Sequence, residues 1–263
     1  MERTRIRKYG NAPYLAALLH GGPGAPGSMA PLAAELCGVC GVIEPLQLQS
    51  SVEGQVEGLG NALQDNATVP VTLLGWSWGA WLACLLAADR SGLVNKLILV
   101  GSPPFTPGCS GQINSRRLER LEEKERREVS SLMQVLDGPA PGKDSALRRL
   151  GELFSKADSF LEEPVEHRDE EPDCRVFKQV WSQAEQMRSS GQLLEAAGAI
   201  RCPVLAVHGD FDPHPWQGVA GPLEALLPDF RLVLLEDCGH RPWLEYHAKT
   251  RFLDTVKQEF ARR

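Results

Sequence analysis

The feature that most restricts the fold is a junction. An apolar run, Val71-Thr72-Leu73-Leu74, meets an apolar helix-forming run, residues 78–89 (WGAWLACLLAAD), through Gly75-Trp76-Ser77-Trp78-Gly79. A strand passes directly into a helix only through a sharp turn, and small residues on both sides of the apex let the two backbones approach. A strand followed by a covering helix must return as a parallel neighbour. Ser77 at the apex is lifted above the sheet edge, where the amide dipoles of the new helix point at its hydroxyl. The bland alternative is a glycine-rich turn with a helix-capping serine.

Short apolar runs alternate with amphipathic ones through most of the chain. Residues 13–20 (PYLAALLH), 42–46, 71–75, 96–101 (KLILVG), 203–208 (PVLAVH) and 231–235 (RLVLL) predict strands. Residues 26–37, 52–64, 78–89, 218–227 and 243–260 predict helices. Strands apolar on both faces imply a mostly parallel α/β sheet with helices on each side. The alternation stops after Pro103-Pro104-Phe105-Thr106-Pro107-Gly108, a loop signal. Residues 116–128 (RRLERLEEKERRE) predict one solvated helix with a thin apolar stripe from Leu118 and Leu121. Residues 137–143 and 162–173 predict loops. The expected organisation is a core of residues 1–103 and 199–263, with a helical cap inserted at 104–198.

A formal net charge of −6 and the lack of a basic stripe argue against nucleic acid or an anionic membrane as partner. No apolar run approaches the ~20 residues of a membrane span, and the basic start leads into no secretory-type apolar stretch. Seven cysteines, odd in number and scattered, predict reduced, packed thiols in a cytoplasmic protein. Cys37-Gly38-Val39-Cys40 has no second pair to complete a zinc site.

A serine hydroxyl needs a base, and the base needs an orienting carboxylate. His240, in Cys238-Gly239-His240 after the last predicted strand, can reach over the sheet edge. His247 is its rival but falls in a predicted helix. His20 and His208 also end strands, and His208 reads as a residue that packs or hydrogen-bonds locally. Gly209-Asp210-Phe211-Asp212-Pro213 supplies two acids; Asp212 precedes a stiffening proline, Asp210 is the alternative, and either could cap a turn. Oxyanion donors would be the Trp78 N–H and the glycine-rich His20-Gly21-Gly22-Pro23-Gly24. That loop is too short and lacks the lysine for a phosphate loop. Trp76 and Trp78 flank the nucleophile and are expected at the pocket. Trp81, Trp216 and Trp243 read first as packing residues, with Trp243 and Gly21 carried beside Trp76 as substrate-binding candidates. No metal or organic cofactor is called for.

In those residues the chain resembles the α/β-hydrolase superfamily over nearly its whole length outside the insertion. His20-Gly21-Gly22-Pro23-Gly24 with Ser77-Trp78-Gly79 resembles the proline iminopeptidase branch. The resemblance implies a Ser77, Asp212, His240 triad in that chain order, oxyanion amides from Gly22 and Trp78, and a substrate-shaping cap. Its Gly-x-x-Asp pattern at 209–212 favours Asp212, and Gly239-His240-Arg241-Pro242-Trp243-Leu244-Glu245 resembles the family's histidine loop. Relatives place two antiparallel strands before the first predicted strand; only twelve residues stand there here, so a sheet of six or seven strands is expected. Iminopeptidases use acidic cap residues to hold a free amine, and Glu162, Glu163, Glu166 and Glu170 are available. The expected activity is hydrolysis of a small ester or amide through an acyl-enzyme. An aminopeptidase is the alternative, and a non-catalytic small-molecule receptor of the same fold is the reading from another class.

Overall fold

A computed structural model of the protein describes residues 4–109, 111–139, 141–164 and 170–262. Among the described residues seven strands form one sheet: β1 (Arg5–Tyr9), β2 (Tyr14–Leu19), β3 (Gly41–Leu46), β4 (Val71–Trp76), β5 (Val94–Val100), β6 (Val204–Gly209) and β7 (Phe230–Leu235). Their spatial order is β1-β3-β2-β4-β5-β6-β7. Every neighbouring pair is parallel except β1 with β3. The sheet is therefore at the upper end of the expected six or seven strands, and β1 is the strand the hydrophobic pattern did not reveal. Its RIRKY sequence is mostly charged because it is an edge, where charged side chains discourage further pairing. Arg7 reaches Glu170 at 2.8 Å, Arg5 pairs with the same carboxylate, and the Tyr9 hydroxyl donates to buried Glu44 at 2.8 Å.

Helices cover both faces. On one lie α2 (Val52–Asn66), α3 (Trp78–Asp89) and α9 (Gln217–Leu226); on the other lie α1 (Ala30–Leu36) and α10 (Lys249–Ala261). Ser51 starts α2 by accepting the Gly54 N–H at 3.1 Å. The last helix begins later than the predicted residue 243. Glu245 turns inward to bond backbone amides across the chain, so residues 243–248 are used for tertiary contacts before regular helix starts.

Between β5 and β6 run α4 (Gln112–Arg120), α5 (Glu123–Asp137), α6 (Lys143–Asp158), α7 (Cys174–Ser190) and α8 (Gln192–Ala197). The single helix expected over 116–128 is two helices. Leu121 turns into a local apolar cluster, and the Glu125 carboxylate accepts the Glu122 N–H at 3.0 Å, which starts α5 afresh. The insertion is also less separate than expected. Leu121, Val129, Leu136, Leu147, Leu150 and Leu153 form its own cluster, whereas Val176, Val180 and Ala184 of α7 and Leu193 and Ala197 of α8 join the main core against α3. Among the described residues no helix is long and apolar enough to cross a membrane.

Candidate active site

The carboxyl ends of β2, β4, β5, β6 and β7 bring the sequence candidates to one edge. Ser77 sits between β4 and α3 at φ 54° and ψ −120°, a backbone state that costs a non-glycine residue about 1–3 kcal/mol. Its N–H donates to Val100 O at 2.9 Å, and its hydroxyl does not cap α3. The capping alternative is thereby removed. A Cβ on Gly75 would lie 2.1 Å from Gly79 O, and one on Gly79 would lie 2.5 Å from Leu19 O. The spacing of the motif is thus a steric requirement of the turn.

His240 and Asp212 meet: Nδ1 of the imidazole lies 2.7 Å from Oδ2 of the carboxylate, both groups being buried. A carboxylate only accepts, so Nδ1 carries the proton and Nε2 keeps its lone pair. Asp210 is exposed and accepts the Cys238 N–H at 3.3 Å, which ties the loops after β6 and β7 together. His247 is exposed against Phe160 and Tyr246. Gly101, at φ +51°, makes room for the pair: a Cβ there would lie 2.8 Å from His240 Nδ1 and 3.1 Å from Asp212 Oδ2. Gly101→Ala is expected to displace both groups and to lower kcat by about 100-fold. Steady-state kinetics beside a thermal melt checks this, and a kcat within threefold of the unsubstituted protein counts against it.

The glycine-rich loop after β2 packs on the elbow. A Cβ on Gly21 would lie 2.7 Å from the Trp76 ring and 3.0 Å from Ser77 Cβ, and Gly22 follows at φ +62°. His20 anchors this loop. Its Nδ1–H donates to Gly21 O at 3.0 Å and its Nε2 accepts the Gln47 N–H at 3.2 Å. Burial drives this histidine down to about 4, so it stays a neutral structural bridge.

The tryptophans divide. Trp76 is half-buried, donates Nε1–H to His240 O at 2.9 Å and places its ring 5.2 Å from the imidazole, tying the base's loop to the elbow. Trp78 has no exposed surface. Its Nε1–H donates to Gln55 Oε1 at 3.0 Å, and its ring meets Trp81, which stacks on Trp181 of α7. Its ring is part of the core. Trp243 is 2% exposed, wedged edge-on against Trp76 and beside Phe252. Trp243, carried as a substrate-binding candidate, is thus packed under Trp76.

Sequence reasoning missed two neighbours of the pair. His214 donates from Nδ1 to Asp212 Oδ1 at 2.8 Å and from its backbone N–H to the same oxygen at 2.9 Å, and its ring stacks on His240 at 4.4 Å. His208 Nε2 lies 2.9 Å from His214 O and 3.4 Å from Asp212 Oδ2, in keeping with its reading as a local bonding residue. Burial pushes His214 down to about 4 and also lowers His208. Burial opposes ionisation of Asp212 too, but His240, His214 and His208 outweigh it and hold the carboxyl well below its ordinary range. The available signal was Asp212-Pro213-His214, the pattern of an aspartate that turns the chain and bonds the amide two residues on. Asp212, His214 and His240 also lie close enough together to invite comparison with a metal site.

The second missed residue is Glu245, fully buried, which accepts from Gly239 N and Phe160 N at 2.9 Å each and from Leu161 N at 2.8 Å. His240 N–H donates to Asp158 O at 2.9 Å, and Arg117 forks the Asp158 carboxylate, at 2.7 and 2.6 Å. The base of the insertion thus clamps the histidine loop. The acids expected to hold an amine have cations already: Glu162 takes Arg241 at 2.9 and 2.5 Å, Glu163 takes Lys249 at 3.1 Å, and Glu170 takes Arg5 and Arg7. Glu166 lies outside the described residues.

The family model described as the alpha/beta hydrolase family matches residues 17–254. A pimeloyl-[acyl-carrier protein] methyl ester esterase of Yersinia pseudotuberculosis is 25% identical over 179 residues, covering 66% of this chain and 63% of that protein. The alignment thus spans just under two thirds of that relative's length. Among solved structures, VinJ superposes with a TM-score of 0.67 at 17% identity, covering 98% of this chain and 94% of the other. A putative lipase from Acinetobacter baumannii AYE gives 0.66 at 18% identity, with coverage of 98% and 88%. At those identities the structural likeness concerns the fold.

Proposed function

The chain belongs to the alpha/beta hydrolase family, and on that premise we propose that it hydrolyses a small ester through a serine acyl-enzyme. The observation that carries the reading is the 2.7 Å contact between His240 Nδ1 and Asp212 Oδ2 at the sheet edge where Ser77 stands on its elbow. Ser77 Oγ attacks the substrate carbonyl carbon as His240 Nε2 takes the hydroxyl proton. The N–H groups of Gly22 and Trp78 receive the oxyanion, each donor being worth about 10²–10³ in rate. His240 then gives the proton to the leaving oxygen, and water repeats the sequence on the acyl group. Asp212 keeps Nε2 free by holding the other ring nitrogen.

An ester is favoured over an N-terminal amide because the three described acids expected to hold a free amine are each paired with Arg or Lys. The relative named as a methyl ester esterase points the same way. The test is a fluorophosphonate probe followed by turnover of p-nitrophenyl esters and of prolyl and alanyl anilides. Labelling at Ser77 and ester turnover above anilide turnover are expected. No labelling of the folded protein points to a binding protein instead, and faster anilide turnover to an aminopeptidase.

A further inference from the structure

Asp212 serves two imidazoles, one on each carboxylate oxygen. Oδ2 faces His240 Nδ1 at 2.7 Å, and Oδ1 faces His214 Nδ1 at 2.8 Å and His214 N at 2.9 Å. An aspartate carboxylate swings about its last torsion unless both oxygens are held. The His214 backbone bond alone resembles an ordinary turn and fixes one oxygen along one direction. The His214 ring adds a second donor to that oxygen, and the residue is itself held twice: its backbone carbonyl accepts from His208 at 2.9 Å, and its ring face lies on His240 at 4.4 Å.

We infer that His214 is a positioning residue that sets the plane of the Asp212 carboxylate and through it the aim of His240. The inference rests on the proposed hydrolase reading. Three observations separate it from other roles. The His214 and His240 rings stack at an interplanar angle of 23°, and each Nδ1 carries the proton it donates to the carboxylate, so neither nitrogen has a lone pair left for a metal. One carboxylate with two oxygens suits that arrangement; a metal bridging the two rings does not. His214 points Nδ1–H at a carboxylate already bonded to His240, so it is a donor to the acid and not a second base. Burial that holds it neutral down to about 4 keeps it a donor throughout the neutral range.

The test is a double-mutant cycle read as kcat and KM on a p-nitrophenyl ester. His214→Phe keeps a ring against His240 but removes the donor; His214→Asn puts an amide N–H near the position of Nδ1. His214→Phe is expected to lower kcat by about 10- to 100-fold with KM within twofold, and His214→Asn to recover most of the loss. In the Asp212→Ala background the same His214→Phe change is expected to cost less than threefold, because nothing remains to be positioned. An equal factor in both backgrounds overturns the inference, since a merely structural role would add. So does an unchanged kcat in His214→Phe. Ser77→Ala and His240→Ala serve as controls: if both hydrolyse the ester at the unsubstituted rate, the hydrolase reading fails and takes the inference with it. If both are inactive and His214→Phe is not, only the inference fails.

Discussion

Asp212→Asn is expected to lower kcat/KM by about 10⁴, while Asp210→Asn changes it by less than tenfold. The two acids are two positions apart, and the burial and bonding of each explain the contrast. Asp212 is 2% exposed with His240 on one oxygen and His214 on the other. An amide there can turn its NH₂ toward His240, which then presents the wrong tautomer and has no lone pair for the serine proton; about four orders of magnitude is the loss known for that change in a serine protease. Asp210 is exposed and accepts one backbone N–H at 3.3 Å, an acceptor that asparagine retains. Steady-state kinetics of the two variants decides the matter, and a severe loss in Asp210→Asn alone would reverse the assignment.

The second large effect is on stability. The protein is expected to lose about 4 kcal/mol of unfolding free energy between about pH 7 and about pH 5, of which His20 and His214 each supply about 2. Burial lowers both from 6.5 to about 4. In the unfolded chain each takes a proton near its ordinary 6.5; in the folded protein each refuses it until about 4. Their contribution is therefore complete above 6.5 and falls away as the pH drops toward 4. His208, lowered in the same direction, adds to the loss. Asp212 does not enter this window, because its stabilising contribution disappears only below its ordinary 3.8. Urea unfolding at the two pH values measures the difference. His20→Gln, which retains a donor and an acceptor without a titrating ring, should remove about half of it. Equal stability at both pH values would mean that these rings accept protons in the folded state.

Much of this site was legible because its requirements are local. A strand entering a helix within five residues leaves no space for side chains at 75 and 79, so the glycines announce the turn and the turn announces Ser77. The loops after β6 and β7 carry an acid and a histidine at strand ends, where chain order alone brings them to the same edge. Residues 13–20 and 203–208 read as strands because both faces are covered and the run is apolar up to its terminal histidine. β1 was hidden for the opposite reason: an edge strand with charged partners has no apolar alternation to show.

The amino-acid sequence by itself determined the doubly covered parallel sheet, the elbow and the candidates for base, acid and oxyanion loop, since each follows from backbone sterics and periodicity within a short stretch. Only the tertiary structure decided what depends on distant parts of the chain. It brought Asp212 rather than Asp210 to His240, buried Trp243 and the Trp78 ring in the core, and locked the histidine loop to the insertion through Glu245 and Asp158. It also set a second imidazole on the acid's other oxygen. The pairing of Asp212 with His240 depends on the angle at which loops separated by 28 positions meet, and no local pattern of side chains encodes that angle.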